Sequence, residues 1–334
     1  MGYISQTKTY TIDLNLPEEE RWQKVIKDDK IAVKKLINEA KKDISHVPRF
    51  LRWIFRKGYQ LVGGYYTDEM DSWASSLDVA RGDVAMLQCS YELAHFSEYV
   101  GERIPIRPFG CTTGVKWLKG VGMVHLRNMD WPLRNIGKTT RLFKFTNGNR
   151  HFIAVGVSGF VGVLSGMLPG AYSITMNYSP VTRRPRLMNW GPSFLLRDVL
   201  EECDTYEDAV YYLKNEILST GVLYTICGTK KGQACIIERT GDKASVIKMK
   251  DKSLVSANHY TSNKFKNYNF DEGLLEWSLT RYDTMKDLLE YQRKYHSKEN
   301  IFKCLNVEPV FNDDSYQQMM FIPARDELKV RRWV

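Results

Sequence analysis

Long apolar runs are missing from this 334-residue sequence; no stretch of eighteen or more apolar residues occurs, so no helical membrane span is expected. The opening MGYISQTKTYTIDLNLPEEE lacks the basic-then-apolar layout of a secretory leader, and Gln6 stands where a myristoylation pattern needs Ser or Thr. A single glycosylation sequon exists, Asn177-Tyr178-Ser179, and Pro180 weakens it. The expected compartment is therefore the cytoplasm, or the lysosome or exterior if a leader has been removed. Cysteine is sparse. Six are scattered at positions 89, 111, 203, 227, 235 and 304 with no CxxC pair, which argues against a metal cage and against a disulfide-dense scaffold. Zinc-finger spacing, an RNA-binding aromatic signature and a long basic tail are all absent, so nucleic acid is not the expected partner. No internal repeat or low-complexity tract is visible.

What is present reads as an ordinary globular chain, 43% hydrophobic and 26% charged, long enough for one large domain or two smaller ones. Formal net charge is +9, from 48 basic against 39 acidic residues. Such a surplus favours an anionic partner or surface, or else is a basic but inert surface. Cys227 and Cys235 flank a hairpin turn and could face each other; two buried thiols are the expected state. Cys203 and Cys304 fall in helical segments and read as packing. His125, His151 and His259 show no metal spacing, so no metal and no cofactor are expected.

Along the chain, residues 8–16 alternate as a strand. Residues 18–47 carry helical periodicity behind the acidic 18–20, and residues 68–98 carry it again. After these largely helical hundred residues the composition changes at Arg103-Ile-Pro-Ile-Arg-Pro-Phe-Gly-Cys111, where two prolines force an extended approach. Hairpins follow around 119–122, at Asn147-Gly148-Asn149 and at Pro169-Gly170. Two helices are expected near 193–203 and 206–217, the second capped by Thr205 with Asp208 three on. Four short strands between Val222 and Ala257, helices from about 271 to 306 and a last hairpin from Gln317 to Val334 complete a strand–helix–strand–helix order that suits stacked sheets between helical layers.

Cys111 opens a strand, not a helix, which disfavours a thiol activated by a helix dipole and a histidine. A cysteine that becomes a new N-terminus needs no histidine, because its own α-amine, with a reference pKa near 8, can accept the thiol proton. Alone, a cysteine before a strand is usually a small buried hydrophobe. Its surroundings carry more. Cys111-Thr-Thr-Gly-Val is followed by His125-Leu-Arg127-Asn128-Met129-Asp130-Trp131, by Gly159-Phe-Val-Gly-Val-Leu-Ser-Gly-Met-Leu-Pro-Gly170 with Ser173-Ile-Thr-Met-Asn177, by Asn258-His259-Tyr260 and by Ser278-Leu-Thr-Arg281-Tyr282. This series, together with Thr9-Tyr-Thr-Ile-Asp-Leu-Asn-Leu-Pro17, resembles the acid ceramidase and N-acylethanolamine acid amidase family, within the choloylglycine hydrolase group of N-terminal-nucleophile hydrolases. The resemblance spans almost the whole chain. One departure is a longer connection between Tyr91-Glu-Leu93 and Cys111 than the family pattern has.

The resemblance implies an α+β fold: an αββα sandwich over 111–334, preceded by a mainly helical segment, 1–110, that is cut off between Gly110 and Cys111 and retained as a small subunit. It implies a catalytic set of Cys111, Arg127, Asp130, Asn258 and Arg281. Cys111 would attack an amide to give a thioester, Asp130 would hold the new α-amine, Arg127 would lie beside the sulfur, and Arg281 would complete the charge network. Asn258 is the first candidate for the oxyanion donor and Asn177 the second. Positions 127 and 130 fall on opposite faces of a regular strand, so a bulge or strand end is expected near Asn128. The implied substrate is an N-acyl lipid, of ceramide or N-acylethanolamine type. Rivals are an acyltransferase or a bile-salt or penicillin-type amidase using the same thioester, and a non-catalytic lipid-binding protein. Against all of these stand plainer readings: Arg-x-x-Asp pairs are commonly surface ion pairs, and asparagines after strands are commonly turn residues. The stretch 48–57 interleaves Phe50, Leu51, Trp53, Ile54 and Phe55 with arginines and a lysine, which fits either peripheral membrane contact or an apolar face packed on the rest of the chain.

Overall fold

The structure is a computed structural model that describes residues 2–4, 6–43, 66–99, 110–131, 133, 135–181, 186, 189–250, 252–270 and 272–334. In chain order the principal elements are β1 (Tyr3–Ile4), β2 (Thr9–Asp13), α1 (Gln23–Asp43), α2 (Thr67–Leu77), α3 (Arg81–Gln88), α4 (Ser90–Tyr99), β3 (Gly110–Leu118) and β4 (Gly122–Asp130). Then come β5 (Thr140–Asn147), β6 (Arg150–Val157), β7 (Ser165–Leu168), β8 (Tyr172–Asn177), α5 (Pro192–Glu202) and α6 (Tyr206–Asn215). The remainder is β9 (Val222–Gly228), β10 (Ala234–Arg239), β11 (Ala244–Lys248), β12 (Ser253–Ser256), α7 (Glu272–Glu290), β13 (Ser315–Ile322) and β14 (Glu327–Trp333).

The strands form two sheets, one ordered β1-β14-β13-β4-β3-β12 and the other β11-β10-β9-β8-β7-β6-β5-β2. Alternation along each strand decides which layer a side chain meets. Leu118, Val124 and Leu126 share an apolar cluster with Met285, Leu288 and Leu289 of α7. Val115 and Met123 point the other way and cluster with Cys227, Ala234 and Ile236 of the second sheet. On that sheet's far face the Tyr172 hydroxyl donates to the carbonyls of Val199 (3.0 Å) and Cys203 (2.7 Å), fastening β8 to α5. The layers are therefore helix, sheet, sheet, helix: the αββα sandwich implied by the resemblance.

The described residues before β3 are built into this sandwich. β2 pairs in parallel with β5, and β1 pairs antiparallel with β14. Trp22 meets the rings of Phe143 and Phe145 edge-on. Glu69 of α2 and Arg197 of α5 form an ion pair with neither side chain exposed, at 2.5 Å, and Glu69 also accepts from Arg21 and from the Trp22 indole. Gln88 bridges the Gly159 carbonyl and the Val161 N–H.

Several expected boundaries move. The helix expected from 18 begins at Gln23, because residues 17–22 close tight turns instead, with Glu20 N–H on the Pro17 carbonyl and Gln23 N–H on that of Glu20. The single helix expected over 68–98 is three. Asp78 takes a left-handed conformation (φ 53°) that ends α2, and Cys89 breaks the next junction. The hairpins at 119–122, 147–149 and 169–170 form as expected, with Gly148 and Gly170 at positive φ, where a side chain would strain the turn. Thr205 caps α6 by accepting from the Asp208 N–H. Cys227 pairs with Ala234, and Cys235 with Ile226, so the two thiols project to opposite faces of the sheet. All six thiols are free and buried. Among the described residues no helix is long and apolar enough to cross a membrane. Phe50, Leu51, Trp53, Ile54 and Phe55 lie outside the described residues.

Candidate active site

Cys111 is the second residue of β3, and at the start of a strand it can be reached from both faces of the sheet. Its sulfur points into the space between the sheets, where it is buried. There Arg127, on the neighbouring strand β4, brings Nη2 to 3.2 Å from Sγ. The rest of the guanidinium is pinned on the second sheet: it donates to the carbonyls of Leu164 and Met176 and to the Ser165 hydroxyl. A planar fork held on three partners has little freedom, so its fourth contact with the sulfur is fixed in place.

From the other face comes Arg281, on α7. Its Nη1 donates to the Cys111 carbonyl at 2.7 Å and to Thr112 Oγ1 at 3.1 Å, and its Nη2 donates to Asn258 Oδ1 at 2.7 Å. The Trp277 ring, one helical turn earlier, lies 3.7 Å from the guanidinium carbon. Burial pulls the Arg281 pKa down while Asp130 and Cys111 act against it; an arginine remains charged regardless. Asn258, just past β12, accepts the Cys111 N–H on Oδ1 (3.0 Å), and its Nδ2 donates to the Tyr178 carbonyl (2.9 Å). Because both partners of Oδ1 are donors, the orientation of this amide is fixed by its contacts. Arg281 and Asn258 thus hold the carbonyl and the N–H of Cys111.

Asp130 ends β4 opposite Gly110. Its carboxylate accepts from Ser315 Oγ (2.6 Å) and Asn312 Nδ2 (2.8 Å) and lies 4.0 Å from Arg281 Nη1. Burial holds its pKa above the ordinary carboxylate value, and Arg281, Ser315 and Asn312 pull the other way. Gly110 is small for a local reason. A Cβ there would sit 2.6 Å from the Trp277 ring and 2.9 Å from Asp130 Oδ2. The carboxylate therefore lies directly against the residue that precedes the sulfur-bearing one.

Cys111, Arg127, Asp130, Asn258 and Arg281 are thus brought together around one peptide unit. Two details differ from the sequence expectation. In the intact chain the Cys111 nitrogen meets Asn258, not Asp130. Asn177 spends both amide hydrogens on the carbonyls of Ser256 (3.3 Å) and Ala257 (2.9 Å) and accepts from Thr113, which makes it a tie between β8 and the end of β12. Of the bulge or strand end expected near Asn128, the structure shows the strand end: β4 pairs regularly with β3 and stops at Asp130, while a register shift lies in the facing β13, between Ser315 and Gln317. Arg127 and Asp130 stay on opposite faces, Arg127 at the Cys111 sulfur and Asp130 against Gly110. Sequence reasoning missed Trp277, Asn312 and Ser315, and quoted Ser278 beside Arg281 without giving it a role. Trp277 and Ser278 stand four and three residues before Arg281, so helical spacing alone could have offered them; Asn312 and Ser315 leave no signal near Asp130 in the sequence. His259 binds the Ser278 hydroxyl through Nδ1 (2.8 Å), and burial, helped by Arg281, lowers its pKa to about 4.

Comparison with known proteins gives the same direction. A family model described as acyl-coenzyme A:6-aminopenicillanic acid acyl-transferase matches residues 117–315, more than half of the chain. A second, described as the beta subunit of N-acylethanolamine-hydrolyzing acid amidase, matches residues 5–60. The N-acylethanolamine-hydrolyzing acid amidase of Caenorhabditis elegans is 25% identical, covering 97% of this chain and 93% of that protein. Acid ceramidase of Homo sapiens is 26% identical over 71% of this chain, and the match spans only 64% of that protein. A solved structure of the Caenorhabditis elegans N-acylethanolamine-hydrolyzing acid amidase ortholog superposes with a TM-score of 0.52 at 22% identity, covering 64% of this chain and 93% of that one, a likeness of fold. The chain belongs to the acyl-coenzyme A:6-aminopenicillanic acid acyl-transferase family, and its likeness to N-acylethanolamine acid amidase and acid ceramidase supports the family resemblance read from its sequence.

Proposed function

We propose that this protein is a self-processing cysteine amidase that hydrolyses the amide bond of N-acyl lipids, of ceramide or N-acylethanolamine type. The observation that carries the reading is the clamp on one residue: Arg127 Nη2 lies 3.2 Å from the Cys111 sulfur while Asn258 and Arg281 hold the Cys111 N–H and carbonyl. In maturation the sulfur attacks the Gly110 carbonyl and the Gly110–Cys111 C–N bond breaks. The thiol proton passes to the departing amine, and water hydrolyses the resulting thioester. The products are residues 1–110, ending in a carboxylate, and residues 111–334, beginning with a free α-amine. The parallel β2–β5 pairing and the Glu69–Arg197 ion pair keep the two together.

In turnover the α-amine accepts the thiol proton and returns it to the amine leaving the substrate, and the acyl group remains on sulfur until water releases it. Arg127 offsets negative charge on the sulfur. Asp130, beside Gly110, orients the new amine. Asn258, locked by Arg281, donates to the oxyanion, a contribution of about 3 kcal/mol for one such donor. The test is a panel of N-acyl amides with fatty-acid release as the readout. The reading expects release by the wild type and none by Cys111→Ala; release by Cys111→Ala refutes it. The acyltransferase description of the matching family favours one second reading, in which an amine takes the place of water at the thioester. Added amine acceptors separate the two through the ratio of acyl-amine product to free acid.

A further inference from the structure

At the end of β3 remote from Cys111, roughly 16 Å along the strand for five residues, the surface opens into a groove of about 1080 Å³. Five separate stretches of chain converge on it: the β3–β4 turn, the β9–β10 turn, the β11–β12 connection, the last turn of α7 and the helical turn that follows. Together they supply Lys116, Lys119, Lys231, Lys250, Lys252 and Lys286, whereas Glu290 is the one carboxylate among the described lining residues. Glu290 is already engaged, accepting from the Ser253 hydroxyl at 2.8 Å. Asp251, between two of these lysines in sequence, lies outside the described residues.

One of the six lysines has a structural role. Lys116 is buried, and its ammonium donates to the Leu289 carbonyl near the C-terminus of α7, where backbone carbonyls lack helical partners. Burial lowers its pKa; Glu290 offsets part of that and Lys252 adds to it, so positive charges crowd one another here. His296, also lining the groove, is lowered by burial and then by Lys116. Its Nε2 is buried without a hydrogen-bond partner. Lys119, Lys231, Lys250, Lys252 and Lys286 make no ion pair with any described carboxylate. Trp117 and Tyr291 add aromatic surface to the walls.

We infer that this groove is a binding site for a ligand carrying two or more phosphate groups, independent of the amidase reading. Unpaired ammonium groups arriving from several directions suit a compact polyanion, because each can donate to a different phosphate oxygen. Concavity argues for a discrete ligand or a protruding headgroup over a flat charged surface. The shared chemistry is clustered phosphate, whether free in solution or on a lipid.

The experiment uses the full chain and two probes by calorimetry at low salt: inorganic tripolyphosphate, and phosphatidylcholine vesicles containing a bisphosphorylated inositol lipid. The triple variant K250Q/K252Q/K286Q spares Lys116. A control, K27Q/K30Q/K35Q, removes equal charge from exposed positions on α1. The inference expects saturable binding of at least one probe, weakened on the order of tenfold by the groove variant and little changed by the control. Binding of tripolyphosphate identifies a soluble ligand, and binding of vesicles alone a headgroup. Absence of binding to either probe, or equal loss in both triple variants, overturns it.

Discussion

Glu92, on α4, offers a test of how the N-terminal segment is joined to the sandwich. Its side chain is 1% exposed, and only its own backbone N–H and the neighbouring Ser219 hydroxyl favour the charged carboxylate, too little to offset burial. Oε1 comes so close to Gly191, at the start of α5, that a Cβ there would lie 2.7 Å away. Burial raises the Glu92 pKa from 4.5 to about 7, with no basic side chain among the groups acting on it. Since the folded value exceeds the unfolded one, the protonated form fits the fold. The stabilisation is complete below pH 4.5 and is lost as pH rises through 7. A shift of that size corresponds to about 3 kcal/mol. His95 and His125 act in the opposite sense: burial lowers each to about 3, so their contribution is present above pH 6.5 and lost as pH falls. The difference between Glu92→Gln and its parent cancels the histidines. Both are made in a Cys111→Ala background so that the chain stays whole, and both are unfolded in urea from pH 4.5 to 8. Near pH 4.5 the two should agree, and by pH 8 the Gln variant should be more stable by up to about 3 kcal/mol. A difference that does not change with pH, or one that grows toward acid, refutes the reasoning.

Three further outcomes follow from the geometry. Gly110→Ala must displace the Trp277 ring or the Asp130 carboxylate, so self-cleavage followed on gels should slow by about tenfold or more, the rate equivalent of a 1.4 kcal/mol rise in barrier. Glu69→Gln strips Arg197 of its fully buried partner, leaving Glu201 at 2.6 Å; urea unfolding of the uncut chain should show a loss of about 3 kcal/mol. Arg281→Lys keeps the charge but cannot hold the Cys111 carbonyl and Asn258 at once, so amide turnover should fall by about a hundredfold while the global fold, read by circular dichroism, persists.

Much of this architecture was legible in the sequence where local chemistry sets it. The hairpins at 147–149 and 169–170 announce themselves through Asn-Gly and Pro-Gly, and Thr205 with Asp208 marks a helix start that the structure places at the next residue. Cys111, Arg127, Asp130, Asn258 and Arg281, which the structure brings together, were singled out because each sits in a short run of distinctive residues. What stayed hidden depends on distant parts of the chain. Ser315 meets Asp130 across 185 residues, and Asn312 across 182. Asn177 looked like an oxyanion donor until its hydrogens were traced to Ser256 and Ala257. The break at Asp78 escaped because helical periodicity resumes beyond it, and only a left-handed residue marks the gap. The lysine groove was visible in sequence only as a net charge of +9, since its residues come from five separated stretches.

The central claim is that one residue supplies both the attacking sulfur and the amine that takes its proton. Mapping the N-termini of the purified protein by mass spectrometry, after reaction with a thiol-selective N-acyl probe, tests it directly. Two termini are predicted, the second at Cys111, with the probe on that residue's sulfur. A chain that hydrolyses N-acyl amides while still whole, or whose probe-bearing cysteine keeps Gly110 attached, contradicts it.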